Sequence, residues 1–227
     1  MSFALSLKPV TLSTLPTREE VLEVARALID STPSWSTGNK FGAVQCFSRK
    51  AETKGPSWHG RRSVHPPQEL TFDKIWDVLG KDHFVNEKQY IAPLRRAEFM
   101  KKVDQGEIWA LLYQFTPPIA NRVFTEFQLT YTETIPENRR VGLVVTLPFD
   151  PEGAEEILQE TGRPVHGMYV SVERVTELED GNIEWIMTTC STPGGSIPQF
   201  VTELALPGQI AHDVPSLISW IKKKNAA

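Results

Sequence analysis

The segment from Trp58 to His65 crowds His59, Arg61, Arg62, Ser63 and His65 into eight positions. If it is a strand, alternation puts His59, Arg61, Ser63 and His65 on one face and Trp58, Gly60, Arg62 and Val64 on the other. With Trp58 and Val64 turned toward an interior, Arg62 becomes a buried cation that needs a partner. Glu87 or Glu173 can supply one, and the pair would then anchor a ligand carbonyl or carboxylate. A structural ion pair or a solvated strand edge is the competing reading.

A second group is His166, Tyr169 and Glu173. A histidine with a phenol and a carboxylate can do general acid–base work on an enolisable substrate. The plainer alternative is a hydrogen-bonded surface histidine at a strand entrance. His212 and Asp213 read as a solvent-facing cap near the kink expected at Pro215. The catalytic candidates are therefore Arg62, Glu87, His166, Tyr169 and Glu173. The ligand-contacting candidates are Trp109, Tyr113, Arg122, Phe127, Trp185 and Met187 on strands, with Phe200, Leu204 and Leu217 on the last helix. Core filling is the ordinary role of each aromatic taken singly.

Several chemistries lack their signatures. There is no G-x-S-x-G, H-E-x-x-H, P-loop or dinucleotide-binding glycine motif. The two cysteines, Cys46 and Cys190, sit in no metal-ligand spacing and read as reduced, buried small hydrophobes, so neither metal nor cofactor is expected. A net charge of −4, with 24 basic and 28 acidic residues interspersed, offers no basic stripe to a nucleic acid. The N-terminus has no signal-like apolar run and no apolar stretch is of membrane-spanning length, so a cytoplasmic protein is expected. A homodimer is left open.

The elements that must position these residues follow from local signals. Thr17 and Glu20 have capping-box spacing, and Val21, Leu22, Val24, Ala25, Leu28 and Ile29 form one apolar face, which predicts a helix over 18–31. Phe41–Phe47 and Ser57–His65 read as paired strands around a loose polar loop. Thr71 caps a helix ending at Gly80, with Leu70 and Ile75 as a staple, and a third helix runs from 82 to 90.

From 95 to 190 the pattern is strands, over 95–103, 107–115, 122–134, 140–147, 165–178 and 183–190, joined by short turns as in an antiparallel meander. An acidic, helix-like piece over 150–162 interrupts it as an insertion or surface excursion. After Cys190, Gly194-Gly195 let the chain turn sharply, Pro198 suits a first helical turn, and a last helix runs to a lysine-rich end. Pro207-Gly208 and Pro215 are expected to divide that helix. The strands carry one apolar face and one mixed face, consistent with a sheet curved around a mixed-polarity pocket or with a solvated outer face. Which face lines a cavity stays open.

The stretches SWHGRRSVH (57–65), DHFVNEKQYI (82–91), GEIWALLYQFTPPIANRVF (106–124), YVSVERV (169–175) and IEWIMTTCSTPGGSIPQFV (183–201) resemble a mostly fungal START-like family of unassigned function. The resemblance implies an α+β helix-grip fold over residues 1–227, in which a curved antiparallel sheet wraps a long C-terminal helix around a hydrophobic cavity. Arg122-Val123-Phe124 departs from the Arg-Asp-Phe frequent in START-like domains, so no role of that acid carries over. The cavity implies a hydrophobic small-molecule partner. Two functions follow: a cofactor-independent cyclase or isomerase acting on a polyketide- or terpenoid-like substrate in secondary metabolism, or a lipid or sterol carrier.

Overall fold

The computed structural model describes residues 3–51, 55–116, 119–150 and 165–224. Helix α1 (Arg18–Ser31) starts at the expected box: the Thr17 hydroxyl accepts from the Glu20 N–H at 3.2 Å, and the Glu20 carboxylate accepts from the Thr17 N–H at 2.9 Å. The segment expected as one strand over 41–47 is instead a hairpin of β1 (Ser36–Phe41) and β2 (Val44–Arg49). Gly42, at φ +58°, makes the reversal, a conformation that costs glycine little. Then come β3 (Trp58–His65), α2 (Phe72–Leu79), α3 (His83–Tyr90), β4 (Leu94–Val103), β5 (Gly106–Tyr113), β6 (Arg122–Ile135) and β7 (Arg139–Pro148). After them lie β8 (Val165–His166), β9 (Met168–Glu177), β10 (Ile183–Thr192) and α4 (Gln199–Lys224).

Among the described residues ten strands form one curved sheet in the order β1-β2-β3-β10-β9-β7-β6-β5-β4, antiparallel throughout except that short β8 runs parallel to β6. The acidic piece expected over 150–162 lies, from residue 151 on, outside the described residues. With its long C-terminal helix laid across the sheet, the molecule has the helix-grip fold.

Helices cover both faces. On one, α1 packs Val21, Leu22, Ala25, Leu28 and Ile29 against Phe127, Leu129, Leu143, Val145, Val172 and Ile186. On the other, α2 and α4 share a core: Ile75 and Leu79 from α2, Ala211, Val214, Leu217, Ile218 and Ile221 from α4, and Val144, Val175 and Trp185 from the sheet. Helix α3 sets Phe84 into a third cluster with Trp109 and Leu111. Burying each large side chain contributes roughly 1.5–3 kcal/mol. That stripe explains why α4 stays one helix from Gln199 to Lys224 despite Pro207 and Pro215, which were expected to divide it. A missing N–H costs about 3 kcal/mol, less than the summed burial of the six residues that α4 places in the core.

Beyond β10 the chain turns at Gly194 and Gly195, both in the left-handed region at φ +62° and +64°. A Cβ on Gly194 would stand 1.9 Å from the His166 carbonyl oxygen, so that approach needs glycine.

Candidate functional site

Register decides what faces α4. Met187 lies between Arg61 of β3 and Glu173 of β9, with Cys46 beyond Arg61 and Val144 beyond Glu173. One pleat along, His59, Thr189, Ser171, Thr146 and Gln128 are successive cross-strand neighbours, and all five are buried. The floor under α4 is thus a polar seam, whereas the face under α1 is apolar.

This reverses the expected orientation of β3. Arg61, 2% exposed, faces inward, while Arg62 lies on the other face, half open to solvent and paired with Glu184 at 2.6 Å. Trp58 is recruited to the cluster beneath α1, so its burial marks the outer face of the sheet.

The guanidinium carbon of Arg61 lies 3.8 Å from the centre of the Trp185 ring, and Nη2 is 3.5 Å from Glu173 Oε2. The Trp185 indole N–H donates to the same oxygen at 2.8 Å. Arg61 Nε and Nη1 are buried without a protein partner. Burial pulls its pKa down, against the opposing pull of Glu173 and Asp213.

Helix α3 presents Glu87 and Tyr90 toward this pair. Beside Glu87, His83 has Nδ1 3.0 Å from the Leu79 carbonyl, so Nδ1 is the donor, and burial depresses the ring's pKa. Its Nε2 therefore carries a lone pair, 4.0 Å from Glu87 Oε2. Burial, then repulsion from Asp213 and Glu173, pushes the Glu87 carboxyl well above the usual range. From α4, Asp213 is pushed up to about 7 by burial, with Arg61 opposing and Glu173 adding to the rise. Tyr113 and Tyr169 face the same space from β5 and β9, and burial raises the pKa of both phenols and of Tyr90. Glu126 of β6, 0% exposed, has both carboxylate oxygens unpaired; the Tyr169 N–H faces it but falls short of hydrogen-bond geometry.

Glu87 and Tyr90 of α3, Asp213 of α4 and Tyr113 and Tyr169 of the sheet are each half-buried. The region that they share, between α3, α4 and the sheet, is the candidate site. A separate groove outside it, between α3 and α4, is lined by Gln89, His212, Ser216 and Trp220. Tyr90 belongs to both, its ring 5.8 Å from that of Trp220.

Of the residues singled out in the sequence, Glu87, Tyr113, Tyr169, Glu173 and Met187 gather here, with Trp185 beneath Arg61. Trp109 is on the same face but buried beside Phe84, its N–H given to Glu107 at 3.2 Å. The others lie elsewhere. His166 is exposed on β8, beside the Gly194 turn. Arg122 braces loops, its Nε on the Pro193 carbonyl at 3.3 Å and its Nη1 on that of Ala120. Phe127 is in the core under α1, and Leu217 packs in the core that α4 shares with α2.

Phe200 and Leu204, expected to face a ligand, point outward at 65% and 79% exposure. On the same turns the Glu203 carboxylate accepts from the Ser57 N–H at 2.8 Å. Asp213, read as a solvent-facing cap, faces Arg61 instead. The sequence carried a signal for it, since Asp213 stands three residues after Ile210 and four before Leu217, inside the apolar stripe. Tyr90 stands three residues beyond Glu87 on α3, a spacing that shares one helix face. Glu126 had the parity of Phe124 and Gln128 to mark it.

Among the described residues no group of three or more His, Cys, Asp or Glu is placed to hold a metal ion. No helix among them is long and apolar enough to cross a membrane.

Comparison with known proteins bears on this geometry. A family model described as "Protein of unknown function (DUF3074)" matches residues 58–221. "Uncharacterized protein C577.11" of Schizosaccharomyces pombe is 22% identical over 215 residues, covering 91% of this chain and 85% of that protein. Among solved structures, human STARD10 superposes with a TM-score of 0.70 at 10% identity, covering 93% of this chain and 84% of that one. Human StAR-related lipid transfer protein 5 gives 0.68 at 11% identity, with 92% and 100% covered. A STAR-related lipid transfer protein fragment from Xanthomonas axonopodis gives 0.62 at 16%, with 83% and 98% covered. At these identities the likeness establishes the START-type helix-grip fold.

Proposed function

The chain belongs to the DUF3074 family of proteins of unknown function, and on that premise we propose that it encloses a hydrophobic small molecule in the chamber between α3, α4 and the sheet. The observation that carries this reading is the set of half-buried but inward-facing side chains, Glu87, Tyr90, Tyr113, Tyr169 and Asp213, around Met187. A protein interior packs out such space unless something else fills it. The fold shared with lipid-transfer proteins supports the same reading. The molecule's polar group would lie against the acids and phenols, with its apolar body along Met187 and the aromatic side of the floor.

The acid–base groups favour a second reading, a cofactor-independent cyclisation or isomerisation of an enclosed substrate. Asp213, at about 7, is matched to giving and taking protons near neutral pH, and burial pushes the Glu87 carboxyl well above its usual range. Enclosure would hold a flexible substrate in its reactive conformation. In this reading Asp213 and Glu87 take the role expected of Arg62 and His166, while Tyr169 and Glu173 keep theirs.

The test is native mass spectrometry of the purified protein beside Met187→Trp, which fills the chamber. The expected result is a co-purifying hydrophobic molecule that the variant loses while it keeps its circular dichroism. A protein that carries no such mass, and takes up none from a lipid extract, overturns the reading. Incubating the displaced molecule with wild type and Asp213→Asn then separates the two functions: recovery unchanged is carriage, and Asp213-dependent conversion is catalysis.

A further inference from the structure

We infer that the molecule held in the chamber presents a neutral carbonyl oxygen to the buried guanidinium of Arg61, so that the ligand class is an uncharged ketone, ester or amide rather than a carboxylate or an amine. This rests on the binding reading above and names the group that the site selects.

Arg61 starts on β3, and its guanidinium reaches across β10: the group lies over the ring of Trp185 of β10, and Nη2 meets Glu173 of β9. The charge therefore stands among side chains of the candidate site, next to Met187 and Glu173, both half-buried. The side chain is 2% exposed, yet its Nε and Nη1 have no protein partner. Among the described residues Glu173 alone pairs with Arg61, and Asp213 faces it from α4 without forming an ion pair. A buried carboxyl in that position escapes its cost by taking up a proton. A guanidinium has no such route, because it keeps its charge through the physiological range, and each buried N–H left unpaired is costly. An acceptor from outside the chain removes that cost.

The charge of that acceptor follows from its surroundings. Glu173 already balances Arg61 at 3.5 Å. A carboxylate guest would add a second anion beside Glu173 and opposite Asp213, in a medium that screens like charges poorly. An ammonium guest would bring donors to nitrogens that are themselves donors. A carbonyl oxygen brings lone pairs, no net charge and no proton in need of a partner. The phenols agree with this choice: Tyr90, Tyr113 and Tyr169 are held protonated, and each hydroxyl can donate to the guest's remaining lone pair or to a second oxygen. Water in the same place would satisfy the same nitrogens, and the vibration of the carbonyl tells the two apart.

The experiment titrates methyl hexyl ketone, octanoate and octylammonium into the full chain by calorimetry, each below its solubility or micellar limit, and records the infrared carbonyl band of isotope-labelled ketone at saturation. The ketone is expected to bind at least about tenfold more tightly than either ion. Its bound band is expected below its position in water, because a charged donor pulls on the oxygen more strongly than water does. Arg61→Met with Glu173→Gln removes the pair without leaving a lone charge, and is expected to weaken the ketone about tenfold and to raise any bound band above its aqueous position, with circular dichroism unchanged. Arg62→Met is expected to change neither readout, and Met187→Trp to abolish binding. If the double variant does not fold, the wild-type band decides alone. Either ion bound more tightly than the ketone, with Met187→Trp still abolishing binding, overturns the neutral carbonyl and leaves the chamber reading standing. A wild-type band at or above its aqueous position overturns the contact with Arg61, whose nitrogens water then satisfies. Binding of none of the three overturns both readings.

Discussion

Arg61 and Trp185 are stacked at 3.8 Å beneath α4, and the two share one acceptor, Glu173, at 3.5 Å from the guanidinium and 2.8 Å from the indole nitrogen. The ring shields one face of the cation while the carboxylate balances its charge, which lets an arginine sit at 2% exposure in the sheet floor.

Neighbouring arginines should therefore respond to a very different extent. Arg61→Met leaves Glu173 buried without its partner and should cost about 3–5 kcal/mol in urea unfolding. Arg62→Met loses a half-exposed pair with Glu184 and should cost less than about 1 kcal/mol. Adding Glu173→Gln to Arg61→Met should recover part of the loss. Equal costs at positions 61 and 62 would show that the face of β3 is misassigned.

Asp213 sets a pH dependence. Its carboxyl is raised to about 7 in the folded chain, from about 3.9 when unfolded. The folded state therefore holds this proton more tightly, and the stability it contributes is complete below about pH 4 and lost as pH rises toward 7. The groups facing it are Arg61, Glu173, Glu87, Tyr90 and Tyr113. Asp213→Asn should match wild type at pH 4 and exceed it by on the order of 2 kcal/mol at pH 8. A variant that is less stable at pH 8 would mean that Asp213 is held there as an ionised partner of Arg61.

The turn after β10 makes a third prediction. At Gly194 an added methyl meets the His166 carbonyl in a left-handed backbone, so Gly194→Ala should cost roughly 3 kcal/mol or more in thermal unfolding. Gly42 has a similar φ with open space around it, and Gly42→Ala should cost only about 1 kcal/mol. Similar melting points for the two variants would refute the close approach of the β8 and β10 ends.

The two halves of α4 should differ as well. Leu217→Ala empties a fully buried position and should cost about 2–5 kcal/mol. Leu204→Ala, at an outward 79% exposed position, should stay within about 0.5 kcal/mol and leave binding of any chamber ligand unchanged. A ligand affinity that falls in Leu204→Ala would place the first turns of α4 against the ligand after all.

Elements with a local cause were legible before any coordinates. Thr17 and Glu20 are three residues apart and bond each other, so α1 starts where its sequence says. Thr71 and Gly80 bracket α2, and the short turns that join β4 to β5, β6 to β7 and β9 to β10 dictate antiparallel pairing of those strands. Of the site, Glu87, Tyr169 and Glu173 could be named because acids and phenols on strands and short helices are conspicuous. Arg61 could not be told from Arg62, because alternation separates two faces without saying which is inner, whereas Asp213, Tyr90 and Glu126 carried only the spacing and parity signals given above.

The chain by itself determined which segments become helices and strands, the glycine exit at 194–195, and the supply of acids, phenols and apolar side chains. Tertiary structure decided which face of each element those side chains occupy. A strand's period of two separates two faces without saying which is inner, and the usual label, a polar outer face, fails here because α1 covers one side of the sheet and α4 the other. The choice of Arg61 over Arg62, and of Asp213 over Phe200 and Leu204, was made when α1 claimed Trp58 and the apolar stripe of α4 turned toward α2.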